Sequence, residues 1–175
     1  LKLVVRRLEK QLKISTGYKP AKRKNSEIQA KNTADRIKFG GQTLKLNIET
    51  SKRIELIDIT PEVQKEVRIN GIQEGICIIS TRHTTAGIII NENESGLRED
   101  ILNLLERLVP PGAGYGHDRI DNNADAHLKA VLLGASETLP IVQGKLELGT
   151  WQSIFFAEMD GPRHRKVNLT ILKIA

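Results

Sequence analysis

The run Gly75-Ile76-Cys77-Ile78-Ile79-Ser80-Thr81-Arg82-His83-Thr84-Thr85-Ala86-Gly87-Ile88-Ile89-Ile90-Asn91-Glu92 sets the architecture. It holds two β-branched segments, Gly75 to Arg82 and Ala86 to Glu92, on either side of a short polar connection that carries a histidine. Neither segment alternates apolar with polar residues, the pattern of strands covered on both faces. The fold therefore needs other layers to cover them.

Those layers are legible on both sides. Upstream, Thr43 to Thr50 sets Leu44, Leu46 and Ile48 against Lys45, Asn47 and Glu49, the period of two of a strand with one wet face, and Arg53 to Ile57 reads as a second strand. Thr60-Pro61 starts a helix, with the hydroxyl as cap and proline in the first turn, which runs to Asn70 and stops at Gly71. Downstream, Ser95 is the candidate cap of a helix to Leu108 whose Leu97, Ile101, Leu104, Leu105 and Leu108 make one stripe. After the glycine-rich loop Gly112 to Asp121, an asparagine-capped helix from Asn123 to Leu133 is expected to face the core with Leu128, Val131, Leu132 and Ala135. Strands at Thr138 to Gln143, Lys145 to Leu148, Thr150 to Met159 and Arg165 to Ile174 close the chain. Consecutive strands joined by short turns predict an α+β fold, with a mixed, mainly antiparallel sheet packed with about three helices on one side.

The 175 residues fit one domain. The net charge of +6 is local: residues 1 to 35 hold ten Lys/Arg against three acids, and residues 36 to 175 hold 17 against 18. Residues 1 to 40 are thus read as a basic, flexible extension before a single domain at 41 to 175. Within it, residues 1 to 13 have helical apolar spacing and Ser15 to Arg36 reads as a linker. Nucleic-acid binding is expected only through residues 1 to 36, and a solvated extension is the plainer reading. A first residue other than Met suggests that the native start lies upstream. No secretory h-region and no membrane-length apolar run occur in the sequence, and a single cysteine, Cys77, excludes an internal disulfide. Cytoplasmic localisation is the expectation.

Three of the four histidines, His83, His117 and His127, lie within 45 positions, on a strand end, a loop and a helix. Imidazoles are common zinc ligands, and catalytic zinc sites often use three protein ligands and an open position. Each histidine alone would be an ordinary hydrogen-bonding residue, and no i, i+4 pair forces convergence. Their density, with Asp118, Asp121, Asn122 and Asn123 beside them, favours a site. Glu92 ends an apolar strand, either as a solvated acid or as a base in a cleft. Thr84 and Thr85 offer hydroxyls to phosphate, although threonine is also simply a good strand residue. Gly112-Ala113-Gly114-Tyr115-Gly116 lacks the Gly-Lys-Ser/Thr of a P-loop. Arg119, Arg163 and Arg165 are fork-shaped cations suited to phosphate, against the reading of solvated charge. Trp151, the only tryptophan, stands next to Gln152 as a stacking surface beside an amide, although tryptophan is more often core.

Taken together, His83-Thr84-Thr85-Ala86, Asn91-Glu92-Asn93, Tyr115-x-His117-Asp118, Ala126-His127-Leu128, Gly149-Thr150-Trp151-Gln152 and Gly161-Pro162-Arg163 with Arg165 resemble the YjbQ family over about residues 43 to 174. Its members are often named secondary thiamine-phosphate synthase. The resemblance implies a compact α+β domain, usually a homotrimer. Its histidines fall on His83, His117 and His127, its Asn-Glu on Asn91 and Glu92, and its Trp-Gln on Trp151 and Gln152. Ser153 stands where many members have glycine. The activity implied is transfer of an aminopyrimidine diphosphate to a thiazole phosphate with release of pyrophosphate. On that reading His83, His117 and His127 hold a divalent metal, zinc or magnesium. Glu92, Asp118, Arg163 and Arg165 are catalytic, and Thr84, Thr85, Asn91, Trp151 and Gln152 seat a small phosphorylated heterocycle. The competing expectations are a metal-dependent hydrolase of a small phosphorylated molecule and a non-catalytic, metal-stabilised trimer with a nucleic-acid-binding arm.

Overall fold

In the computed structural model, which describes residues 41–174, two antiparallel sheets and three α-helices follow one another in nearly the expected order. They are β1 (Gly41–Glu49), β2 (Glu55–Asp58), α1 (Thr60–Asn70), β3 (Gly75–Thr81), β4 (Ala86–Glu92), α2 (Ser95–Leu108), a 3-10 turn (Gly116–Arg119), α3 (Ala124–Leu133), β5 (Ser136–Val142), β6 (Lys145–Leu146), β7 (Gln152–Glu158) and β8 (His164–Lys173). One sheet has the order β1-β8-β3-β5-β6 and the other β2-β7-β4. Every strand pairing among the described residues is antiparallel, so the α+β class holds and the expected mixed, mainly antiparallel sheet is two antiparallel ones. The helix and linker expected before residue 41 lie outside the described residues.

Strand β7 explains the layering. Its Ile154 and Phe156 join β3, β5, β8 and α1 in one core, whereas Phe155 and Ala157 join Leu105 of α2 and Ala126 of α3 in another. The three-stranded sheet is thus a middle layer, with the larger sheet and α1 on one face and α2 and α3 on the other, so the helices do not share one side as expected. Phe155 and Phe156 are each fully buried, worth about 1.5–3 kcal/mol apiece by area. Ile88 of β4 likewise packs in the first core and Ile89 against the second, which is why that strand does not alternate in sequence. For β3 the expectation fails: its burial alternates, with Cys77 and Ile79 inward and Ile76 and Ile78 half-buried.

The helix ends show where short-range chemistry was overruled. Thr60 does not cap α1; its hydroxyl accepts the Ile154 N–H at 2.8 Å and so ties the helix start to β7. The cap of α2 is Glu94, one residue before Ser95, with its carboxylate accepting from Gly96 and Leu97 N–H at 2.8 and 2.7 Å. These bonds hold that carboxyl below the usual range. Helix α3 is turned over relative to the expectation. Leu128, Val131 and Leu132 are exposed, and the buried face carries Asp125, Ala126, Lys129 and Ala130. Asp125 and Lys129 form an i, i+4 ion pair at 2.7 Å inside the protein, and Arg53 closes on the same carboxylate with two bonds of 3.0 and 2.8 Å. A helix whose charges neutralise one another can face inward and leave its apolar stripe in water.

Candidate functional site

The β3–β4 connection and α3 meet because Gly87 lacks a side chain. A Cβ there would stand 2.8 Å from Leu133 Cβ and 2.9 Å from the Gly134 carbonyl oxygen, so the end of the helix lies directly on β4. The Ile88 N–H donates to that carbonyl at 3.1 Å, and the Thr81 N–H donates to Ala135 O at 2.9 Å. Gly134 takes a φ of 85°, which favours glycine. Between the two elements runs a groove of about 580 Å³. Arg82, His83 and Thr84 line one wall, His127, Ala130 and Val131 the other, and no carboxylate residue lines it.

His83 Nε2 accepts the backbone N–H of Lys166 at 3.0 Å. A neutral imidazole with that nitrogen engaged as acceptor carries its proton on Nδ1. Burial, then the positive charge of Arg165, holds the His83 pKa below its ordinary value, with Glu158 opposing and Lys166 adding to the depression. His83 is therefore a neutral donor, held by the β8 backbone.

His127 forms the wall between this groove and a second hollow of about 270 Å³, lined by Tyr115, Gly116, His117, Ala124, His127 and Leu128. The His117 and His127 rings meet edge to face with centroids 4.9 Å apart. The 3-10 turn sets His117 there, and Asp118 fixes the turn to the helix by accepting the Ala124 N–H at 3.1 Å. That bond satisfies a free donor of α3, the task expected of Asn123. The Asn123 side chain donates instead to Asp121 at 3.2 Å and to Asp160 at 3.0 Å.

The rest of the predicted site is not in this cleft. Asn91 and Glu92 lie at the far end of β4, where they pair in register with Ser153 and Gln152. The β4 strand of seven residues separates them from the His83 end by about 20 Å. Trp151 stands there 72% exposed, and Gln152 turns its carbonyl back to the Gly149 N–H at 2.8 Å. Arg163 folds onto its own turn, donating to the Asp160 carbonyl at 2.7 Å and carboxylate at 2.8 Å. Arg165 is buried, with two bonds of 2.6 Å to the fully buried Glu158 and one of 3.0 Å to buried Thr85. Both arginines are thus committed within the protein, Arg165 and Thr85 as parts of a buried network to which Thr50 also donates.

The three-histidine metal centre is corrected by the same geometry. Among the described residues no group of three or more His, Cys, Asp or Glu side chains is arranged to hold a metal ion. His83 already spends Nε2 on Lys166, and Asp118 spends an oxygen on the helix start. The described residues of one chain do not assemble the expected three-histidine centre. Arg82, next to the histidine in sequence and in the groove, was the overlooked residue, and its position beside His83-Thr84 was the available signal. The buried ion pair was also overlooked; its signal was the Asp125-x-x-x-Lys129 spacing on one helix face.

Two antiparallel sheets packed with three helices, with a groove lined by Arg82, His83 and His127 where α3 crosses β4 and a second hollow beside His117, define the α+β protein that the described residues form. The chain belongs to the UPF0047 YjbQ-like family, whose model matches residues 44–174. A UPF0047 protein of Methanothermobacter thermautotrophicus is 54% identical over 129 residues, covering 74% of this chain and 90% of that one. The UPF0047 protein YugU of Bacillus subtilis is 42% identical over 124 residues, 69% of this chain and 91% of its own. Among solved structures, a YbjQ-like protein of unknown function from Sulfolobus solfataricus superposes with a TM-score of 0.75 at 43% identity, over 77% of this chain and 98% of the other. These relatives are described as UPF0047 or YbjQ-like proteins, the last of them of unknown function, and nothing in them indicates thiamine-phosphate synthase activity. The expected transferase, with its metal-assisted loss of pyrophosphate, is therefore withdrawn.

Proposed function

We propose that this chain is an enzyme acting on a small phosphorylated molecule, whose anionic group enters the groove between the β3–β4 connection and α3. The observation that carries the reading is the groove's lining: a guanidinium and two imidazoles without a carboxylate. Arg82 supplies a charged fork for phosphate oxygens and His83 a neutral N–H from Nδ1. Its volume of about 580 Å³ lies within the range of about 300–1,000 Å³ typical of small-molecule sites. His127, with His117 against it, is the group placed for proton transfer to or from a bound molecule. Self-association is part of the proposal, and the homotrimer implied by the resemblance is kept. It is supported by the exposed Leu104 and Leu108 of α2 and Leu128, Val131 and Leu132 of α3. Calorimetric titration with inorganic phosphate tests the reading. Binding should be saturable and fall about tenfold in Arg82→Ala. Unchanged affinity in that variant and in His83→Phe would overturn it.

A further inference from the structure

The hollow beside His117 and His127 is open, largely apolar and, at about 270 Å³, below the usual size of a small-molecule site. Such a hollow suits one large side chain better than a metabolite. At the opposite end of the molecule Trp151 is 72% exposed, on the turn that leads into β7. Beside it in register, Glu92 is exposed, and its carboxylate has no hydrogen bond or ion pair among the described residues. The two histidines in turn have no carboxylate partner among the described residues. A carboxylate acceptor suits imidazole N–H donors and an indole suits an apolar hollow, yet the two ends lie about 20 Å apart along β4 and cannot meet within one chain.

We infer that a second copy of this chain seats its Trp151 in the hollow of the first and brings its Glu92 against the His117–His127 pair. A tryptophan filling a pocket is the usual anchor of a protein interface. The contact joins unlike surfaces, and repeated head to tail with a rotation that closes it forms a ring, the symmetry of the trimer kept above. Each site is then completed by its neighbour, whose carboxylate orients an imidazole and raises its basicity. The residues of the sequence pattern that one chain separates, Glu92 and Trp151 on one side and His117 and His127 on the other, come together between copies. This deepens the functional reading above and relies on it for the role of the histidines, but not for the contact itself.

Directed cross-linking tests it without any ligand, so its failure is separable from failure of phosphate binding. Cysteines are introduced as Trp151→Cys and Leu128→Cys; the native Cys77 is buried, with its thiol pKa pushed up to about 11, and stays silent. Under mild oxidation each variant alone should remain uncross-linked, an equal mixture should give a covalent dimer, and the double variant should give a covalent ring. Trp151→Ala should raise the apparent dissociation constant of the assembly about tenfold or more by light scattering. Self-cross-linking of Leu128→Cys, or an oligomer that shows no cross-link in the mixture, would overturn the inference. So would a monomeric wild-type chain at micromolar concentration.

Discussion

Asp125 to Asn is the substitution whose cost the structure sets most sharply. The Asp125 carboxylate is almost completely buried and neutralises two cations, Lys129 at 2.7 Å and Arg53 through two bonds of 3.0 and 2.8 Å. Lys129 is fully buried, and among the described residues Asp125 is its one anionic partner. Removing the carboxylate strands a buried ammonium, which costs about 3–5 kcal/mol. Lys129 to Met is the control: Arg53 still pairs with the carboxylate and the buried ammonium is removed, so the loss should be about 1 kcal/mol or less. Burial alone would push the Asp125 pKa up, but hydrogen bonds from Arg53 and Lys129 outweigh it and hold the group at about 2. A folded pKa below the unfolded 3.8 adds stability that is present above pH 3.8 and is lost as pH falls through about 2. The gap is worth about 2 kcal/mol. Urea unfolding measures both effects, and with a slope of about 1–3 kcal/mol per molar the Asn variant should lose about 1–5 M in midpoint. A Met variant as unstable as the Asn variant would refute the account of α3.

The groove and its supports give further expectations. Gly87→Ala should cost about 1–3 kcal/mol by thermal melting and weaken phosphate binding, because the new methyl meets Leu133 and the Gly134 carbonyl. Arg165→Met should cost about 3–5 kcal/mol, since Glu158 would remain buried without its cation; an unchanged melting temperature would contradict this. His83, with a folded pKa below 6.5, contributes stability that is full above pH 6.5 and declines as pH falls through the lower folded value. Comparing unfolding of wild type and His83→Phe between pH 7 and 5 should show a shallower decline in the variant.

Much of the architecture was legible because strand and helix periods, glycines and prolines act locally. The β1 alternation, the ends of α1 at Asn70 and α2 at Leu108, and the Ala86–Glu92 strand all appear where the residues put them. What escaped depends on tertiary contacts that no local pattern encodes. The orientation of α3 follows from Arg53, 72 residues from Asp125, which neutralises a carboxylate that pattern alone assigns to solvent. The commitment of Arg165 follows from Glu158 across a turn, and that of His83 from a backbone N–H of residue 166. The candidate site was half legible: His83, Thr84 and His127 do share a groove, and His117 touches His127. Asn91, Glu92, Trp151 and Gln152 were grouped with them by motif, although the length of β4 carries them to the other end.

On the proposed reading the groove is an anion site in which His83 is a neutral donor. Proton–nitrogen spectra of the histidine side chains near pH 7, recorded with and without inorganic phosphate, test it most directly. The structure predicts that His83 carries its proton on Nδ1 and that phosphate shifts the His83 and His127 resonances, while the exposed His164, paired with Glu49, is unaffected. A proton on His83 Nε2, or phosphate shifts confined to His164, would contradict it.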